Sequence, residues 1–278
     1  MDTNISIIGI GFVGGAMKKS FEEKGVSVKA YDKYKESDSF ESCLDSDIMF
    51  LCLPTPFDTI KKEYEKDNIY QTCQKLVDNS YSGIVVLKST VESETTLLLS
   101  QKYNLKLVHN PEFLTARTAY HDFHNQKHVV LGQGPNVTEN EINTLKNFYS
   151  KYYPNAEISI CNSTESESMK SFVNCFYSVK IQFFNELYLL CDKLKDCNYS
   201  NVLELMLKNG WINPMHTKVP GPDGKLSYGG YCFPKDTNAL VNLMKKKKTP
   251  NRVLRATINE RNIMRKDNVN VVNIKIKK

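Results

Sequence analysis

Asn4-Ile5-Ser6-Ile7-Ile8-Gly9-Ile10-Gly11-Phe12-Val13-Gly14 decides the fold class of this chain. A short run of apolar residues meets three glycines spaced Gly-x-Gly-x-x-Gly, and a helical pattern runs on to Lys24. Glycines there permit a tight turn. They let a pyrophosphate approach the helix N-terminus, where unbonded N–H groups and the helix dipole favour an anion. A second strand at 26–31 ends at Asp32, eighteen residues after Gly14. A carboxylate at that distance accepts hydrogen bonds from an adenine ribose and repels a 2′-phosphate. NAD is therefore expected, held by Gly9, Gly11, Phe12, Val13, Gly14 and Asp32, with Lys33 and Lys35 weakening the preference over NADP.

Working outward, residues 47–53 form a continuous apolar strand, as in a parallel sheet covered on both faces. It ends in Pro54-Thr55-Pro56, at the carboxyl end of a strand, where α/β sheets bind ligands. Strands at 84–87 and 105–108 stop at Lys88-Ser89-Thr90-Val91 and at His109-Asn110-Pro111-Glu112-Phe113-Leu114; others are expected at 129–132 and 158–161. Strands alternating with helical patterns predict an α/β fold with a Rossmann doubly wound parallel sheet. Apolar residues at 169, 172, 173, 176, 183, 184, 187 and 190 then predict one helix over 165–194, roughly 45 Å long at 1.5 Å per residue. A Pro- and Gly-rich loop at 211–227 precedes more helices through 265. The expected domains are a Rossmann domain at 1–163, an all-helical domain built on the long helix at 164–266, and a tail at 267–278 with a strand pattern at 269–276.

Composition narrows the class. At 278 residues, 41% hydrophobic and 24% charged, the chain has room for two ordinary cores. It shows neither an apolar run of membrane length nor a signal-peptide pattern. Eight cysteines without a Cys-x-x-Cys pair read as reduced thiols in a cytoplasmic protein. The net charge of +6 includes four lysines at 245–248. No aromatic or glycine pattern accompanies them, so they read as a solvated basic face and not as a nucleic-acid site. His109, His121, His124 and His128 match no zinc spacing, and no metal is expected.

The chemistry is expected in Tyr228-Gly229-Gly230-Tyr231-Cys232-Phe233-Pro234-Lys235-Asp236. A cationic neighbour lowers a thiol's pKa and raises its nucleophilic fraction. Asp236 shares a helix face with Cys232 if a helix starts here, which offers a carboxylate as base. This string resembles the active-site segment of the nucleotide-sugar 6-dehydrogenases, the UDP-glucose/GDP-mannose dehydrogenase family, and above all its UDP-glucose-oxidising members. The Pro-Thr-Pro loop, Ser89-Thr90-Val91, Asn110-Pro111-Glu112-Phe113-Leu114 and the Glu167-x-x-Lys170-x-x-x-Asn174 pattern resemble family motifs in the same order.

The resemblance implies a role for each matching residue. Cys232 is the covalent nucleophile. Thr90, Glu112 and Asp236 handle the catalytic water, and Lys170 and Asn174 stabilise oxyanions and fix the substrate. Pro54, Thr55, Thr90 and Lys235 join the NAD contacts. Phe113, Leu114, Tyr228 and Gly229 contact the substrate, with His216 and Lys218 assigned there as well. On residue type alone, Thr90 is a strand-end cap, Glu112 a helix-start carboxylate, Lys170 a solvated lysine and Asn174 a helix-surface asparagine. Two departures stand out: Glu92 where the family often has proline, and Ala116-Arg117 where it usually has Glu-Gly or a related pair.

The implied activity is the four-electron, NAD-dependent oxidation of UDP-glucose to UDP-glucuronate for polysaccharide biosynthesis, by a dimer formed through the long helix. Family members continue into a third domain that closes over the substrate's nucleotide, and this sequence stops at Lys278. Its expected absence puts catalytic competence in question. Two alternatives stay open: a two-electron NAD-dependent hydroxyacid dehydrogenase, and a non-catalytic NAD-binding member that needs a partner chain.

Overall fold

The computed structural model describes residues 3–115 and 117–267; Ala116 and the strand pattern at 269–276 lie outside them. In chain order the elements begin β1 (Ile5–Ile8), α1 (Phe12–Glu23), β2 (Val28–Tyr31), α2 (Phe40–Cys43) and β3 (Ile48–Leu51). A hairpin follows, β4 (Phe57–Asp58) and β5 (Glu63–Tyr64), then α3 (Asp67–Asp78), β6 (Ile84–Leu87), α4 (Thr95–Tyr103) and β7 (Lys106–His109). Next come α5 (Ala119–His124), β8 (His128–Gln133), α6 (Glu139–Tyr152) and β9 (Glu157–Asn162). The chain then forms α7 (Ser163–Lys193), α8 (Tyr199–Lys208), α9 (Phe233–Lys246) and α10 (Arg252–Met264).

Two compact units result, residues 3–55 with 65–170 and residues 56–64 with 171–267. By compactness the two units divide inside α7, which starts directly from the last strand.

The first unit is a Rossmann sheet of order β2-β1-β3-β6-β7-β8-β9. Its strands alternate between two cores. Ile7, Phe50, Val86 and Val108 face a layer with Phe21 and Phe123. Ile8, Met49, Leu51, Val85, Leu87 and Leu107 face the layer under Ile69, Leu76 and Leu99. Burial on both faces is why these strands read as unbroken apolar runs. Pairing is parallel except at β7–β8, which run antiparallel. The chain returns from β7 through α5, packed beside α1, and enters β8 in the opposite direction. α6 begins with a capping box in which the Thr138 hydroxyl accepts from the Glu141 N–H while the Glu141 carboxylate accepts from the Thr138 N–H.

The second unit is helical, as expected, and also takes in the short β4–β5 hairpin. Each hairpin strand is two residues long and the connection carries Lys61 and Lys62, too short and polar for an alternating pattern. One core gathers Cys175, Leu240, Val241 and Leu254; a second gathers Phe184, Cys191 and Tyr199.

Phe21 is fully buried among Phe50, Phe123, Phe148 and Tyr153, with ring centroids 5.5–6.1 Å away. Phe21→Ala is expected to lower the stability of this unit by about 3–5 kcal/mol, read as a fall in urea midpoint of a transition followed by far-UV circular dichroism.

Candidate active site

In the first unit the glycine turn has the geometry that its spacing predicts. Gly9 sits at φ +95°, and a Cβ there would lie 2.6 Å from the Cys52 carbonyl oxygen. A Cβ on Gly14 would lie 1.9 Å from the Gly9 carbonyl oxygen. Neither position admits another residue. Gly11 faces open space and is the N-cap of α1, without a side-chain cap. That leaves a bare helix start toward which a phosphate can come. Phe12 and Val13 are the first residues of α1. Asp32 ties the turn to the end of β2, one oxygen accepting from the Ile10 N–H at 2.7 Å and the other from the Tyr34 N–H at 2.9 Å. These residues fit a dinucleotide: glycine where the backbone must come close, and a carboxylate fixed at the ribose distance.

The segment 88–94 joining β6 to α4 is anchored almost residue by residue. The Ser89 hydroxyl donates to the Leu53 carbonyl at 2.6 Å. The Thr55 hydroxyl donates to the Thr90 carbonyl at 2.7 Å, so its side chain serves the loop. Pro54 beside it is exposed. Val91 is buried. Glu92, the departure from the family's proline, pairs with Lys66 at 2.6 Å, both largely out of solvent. An ion pair thus restrains the chain where a ring would have done so.

Glu112 stands in irregular backbone and not at a helix start, and one carboxylate oxygen accepts from the Leu114 N–H at 2.7 Å. Lys170 is buried, unlike a solvated lysine, and its ammonium donates to the Glu112 carbonyl at 2.5 Å, with the Glu112 carboxylate at 3.4 Å. The ammonium also lies 5.2 Å from the centroid of the Phe113 ring, which is partly exposed and stacks on His128. Leu114 packs against the core.

Lys88 was not singled out by the sequence. It is buried at the end of β6 and donates to the Asn110 side-chain oxygen at 2.9 Å. The Tyr149 hydroxyl donates to that same oxygen at 2.6 Å. Burial pushes the Lys88 ammonium down to about 8, opposed by Cys52 and Glu112. His109, grouped in sequence with surface histidines, is fully buried against the Ser166 hydroxyl at 2.8 Å. Burial first, then Lys88 and Lys170, hold it down at about 3.

In the second unit Cys232 is exposed and is the N-cap of α9, with Pro234 in the first turn. This is the end of a helix that favours negative charge. A helix does start here, and the Asp236 N–H donates to the Cys232 carbonyl at 3.0 Å. Asp236 itself is fully buried. One oxygen accepts from the Tyr64 hydroxyl at 2.6 Å and from the Lys235 ammonium at 2.7 Å, the other from the Asn174 amide at 2.6 Å. Asn174 is buried too, and not a surface asparagine. The Lys235 ammonium also sits 4.6 Å over the Tyr64 ring. Tyr64 comes from the hairpin and had no signal in the sequence beyond an aromatic flanked by charges.

The residues assigned to substrate divide. Tyr228 is buried, its carbonyl accepting from Arg261 at 3.2 Å, so its ring holds the segment and does not face outward. A Cβ on Gly229 would lie 2.2 Å from the Arg265 guanidinium, which explains that glycine by packing. Gly230 takes the positive φ of +75°. His216 is half-buried between Tyr177 at 4.7 Å and Phe233 at 5.7 Å, while Lys218 is exposed. Among the described residues no group of three or more His, Cys, Asp or Glu side chains is arranged to hold a metal ion.

A family model described as the UDP-glucose/GDP-mannose dehydrogenase family, NAD binding domain, matches residues 29–153, and the central-domain model of the same family matches 164–262. The chain belongs to the UDP-glucose/GDP-mannose dehydrogenase family. It carries that family's NAD-binding domain, and NAD is its cofactor. A UDP-glucose 6-dehydrogenase of Campylobacter jejuni is 27% identical over 229 residues, covering 81% of this chain and 55% of the relative. A UDP-glucose dehydrogenase structure from Pyrobaculum islandicum superposes with a TM-score of 0.83 at 22% identity, over 95% of this chain and 68% of that one. The chain thus spans about half to two thirds of these relatives. A 3-hydroxyisobutyrate dehydrogenase structure from Mycobacterium tuberculosis shares the fold as well, with a TM-score of 0.73 at 15% identity.

Two outcomes follow for the first unit. Lys66→Met is expected to raise amide exchange at 91–94 about tenfold, the equivalent of about 1.4 kcal/mol of local opening; unchanged exchange would mean the pair restrains nothing. His109 is protonated between pH 6.5 and about 3 when the chain is unfolded but not when it is folded. Its neutral form therefore contributes stability above 6.5 that is lost as pH falls through that window. The gap in urea midpoint between wild type and His109→Asn is expected to narrow from pH 6.5 to 4, and a constant gap would contradict the burial argument.

Proposed function

We propose that the chain oxidises the C6 alcohol of a nucleotide sugar, UDP-glucose first among them, to the carboxylate. The observation that carries this reading is an exposed cysteine at a helix start, one turn before a buried Asp236 to which the Asn174 amide is bonded. NAD, when bound, supplies the hydride acceptor, and the four-electron change consumes two of them. In this reading C6 first loses a hydride and a proton to become the aldehyde. The Cys232 sulfur then adds to the carbonyl carbon, giving a thiohemiacetal. Loss of a second hydride and a proton gives a thioester, and water displaces the sulfur to leave the carboxylate and the regenerated thiol.

Lys170 and Asn174 supply donors for the oxyanions, pre-aimed by their bonds to Glu112 and Asp236. Glu112 and Thr90 order the water. Asp236, fully buried, acts by holding Asn174, whose amide donates to it. A thiol nucleophile needs a reducing compartment, which supports a cytoplasmic location. The fold is shared with a 3-hydroxyisobutyrate dehydrogenase and does not discriminate the two-electron alternative; stoichiometry does.

The reading also includes a homodimer through α7. Phe172, Phe176, Phe183 and Leu190 recur at intervals of four and seven along it, each more than half exposed, an apolar stripe of the kind that marks an interface. Phe176→Glu with Phe183→Glu is expected to halve the mass in sedimentation equilibrium; a monomeric wild type would end the dimer proposal.

Purified chain with UDP-glucose is expected to form two NADH per sugar consumed, and Cys232→Ser to abolish the carboxylate product. One NADH per sugar with an unaffected Cys232→Ser variant would replace this reading by the two-electron one.

A further inference from the structure

Glu167 lies one turn before Lys170 on α7 and is 1% exposed. One of its carboxylate oxygens accepts both the backbone N–H of Thr96 at 2.7 Å and the Thr96 hydroxyl at 2.6 Å. Thr96 is the second residue of α4, whose own N-cap, Glu94, sits at φ +79° and gives no side-chain cap. The backbone N–H groups of Glu94 and Thr95 face the same carboxylate. A helix start without a cap of its own thus takes one from another helix. The junction has a second bond, between the Ser93 and Ser168 hydroxyls at 2.8 Å. What these bonds join is specific: α4 continues from the segment that carries Thr90, and the turn of α7 holding Glu167 also carries Lys170.

We propose that Glu167 is a positioning residue, locking the Lys170 turn of α7 to the Thr90 segment by capping α4 from outside. Rotating α7 by one residue, about 100°, would carry the carboxylate off the helix start and swing the Lys170 ammonium away from the Glu112 carbonyl. The bond acts by geometry and not by charge, so an amide that keeps the acceptor oxygen should preserve it. The proposal rests on reading Lys170 as an active-site cation, and its test is chosen to stand apart from that reading.

The test is acetylation of the full chain with acetic anhydride, with Lys170 and the buried Lys88 quantified by peptide mass spectrometry. Glu167→Ala is expected to raise the Lys170 rate about tenfold, the equivalent of about 1.4 kcal/mol of local opening, with Lys88 unchanged. Glu167→Gln should stay within about twofold of wild type. Thr96→Val deletes one donor while keeping the volume, and should raise the rate about threefold; it carries the test where Glu167→Ala does not fold. A folded Glu167→Ala or Thr96→Val protein with wild-type Lys170 labelling overturns the proposal, as does a Glu167→Gln protein that labels like Glu167→Ala. Where wild type forms NADH from UDP-glucose, Glu167→Ala should lower kcat about tenfold and leave the KM for NAD within about twofold. A wild type that forms none counts against the dehydrogenase reading alone, because the labelling result stands without turnover.

Discussion

Burying charge sets the terms for this molecule. An ionised group taken out of water costs several kcal/mol unless neighbours replace the lost solvent. The chain nonetheless buries Lys88 and Lys170 in its first unit, and Lys235 and Asp236 in its second. Each demands partners, and the partners are what give the loops their shape. Lys88 holds the side chain of Asn110, Lys170 holds the carbonyl of Glu112, and Asp236 gathers Tyr64, Asn174 and Lys235. Loops ending a parallel sheet are ordinarily its most variable parts. Here, ionic demand makes them specific.

That view recasts the carboxylate beside the cysteine. A general base must reach the proton it removes, and Asp236 is fully buried. In Asp236 both oxygens already accept strong bonds, one from a cation and a phenol, the other from an amide. Donating one N–H inward to Asp236 fixes the plane of the Asn174 amide. Lys235, three residues after the cysteine, also donates to Asp236.

How much was legible in the sequence follows from what each residue depends on. The glycine turn, Asp32 and the buried strands were readable because their causes are local: a Cβ too many at Gly14, or an apolar side chain on each face at Phe50 and Leu51. The first turn of α9 was readable for the same reason, Pro234 and Asp236 being good first-turn residues. Tyr64, Lys66 and Lys88 were not readable, because their meaning lies in partners 172, 26 and 22 residues away. Tyr228 and Gly229 looked like ligand contacts because a glycine beside an aromatic suits that role equally well; only Arg261 and Arg265, more than thirty residues on, show that packing explains them. The antiparallel entry of β8 had no signature, since a strand buried on both faces reads the same in either direction.

That reversal leaves the sheet with a crease. β7 and β8 are matched at only two residue pairs, Val108 with Gln133 and His109 with Gly132, whereas β8 and β9 are matched at six. The Asn110 amide, just past β7, adds a side-chain bond to the Val130 carbonyl of β8 at 2.8 Å. A methyl group on Gly132 would strike Ser166 at 2.5 Å, and one on Gly134 would strike the Leu107 carbonyl at 2.4 Å. The backbones come close here, with fewer paired residues than at any other join of the described sheet. Tension applied through α7 meets the sheet at β9, its immediate predecessor in the chain, and also at His109 and the start of α4, through Ser166 and Glu167. The first turns of α7 thus bond to both sides of the crease and act as a splint across it.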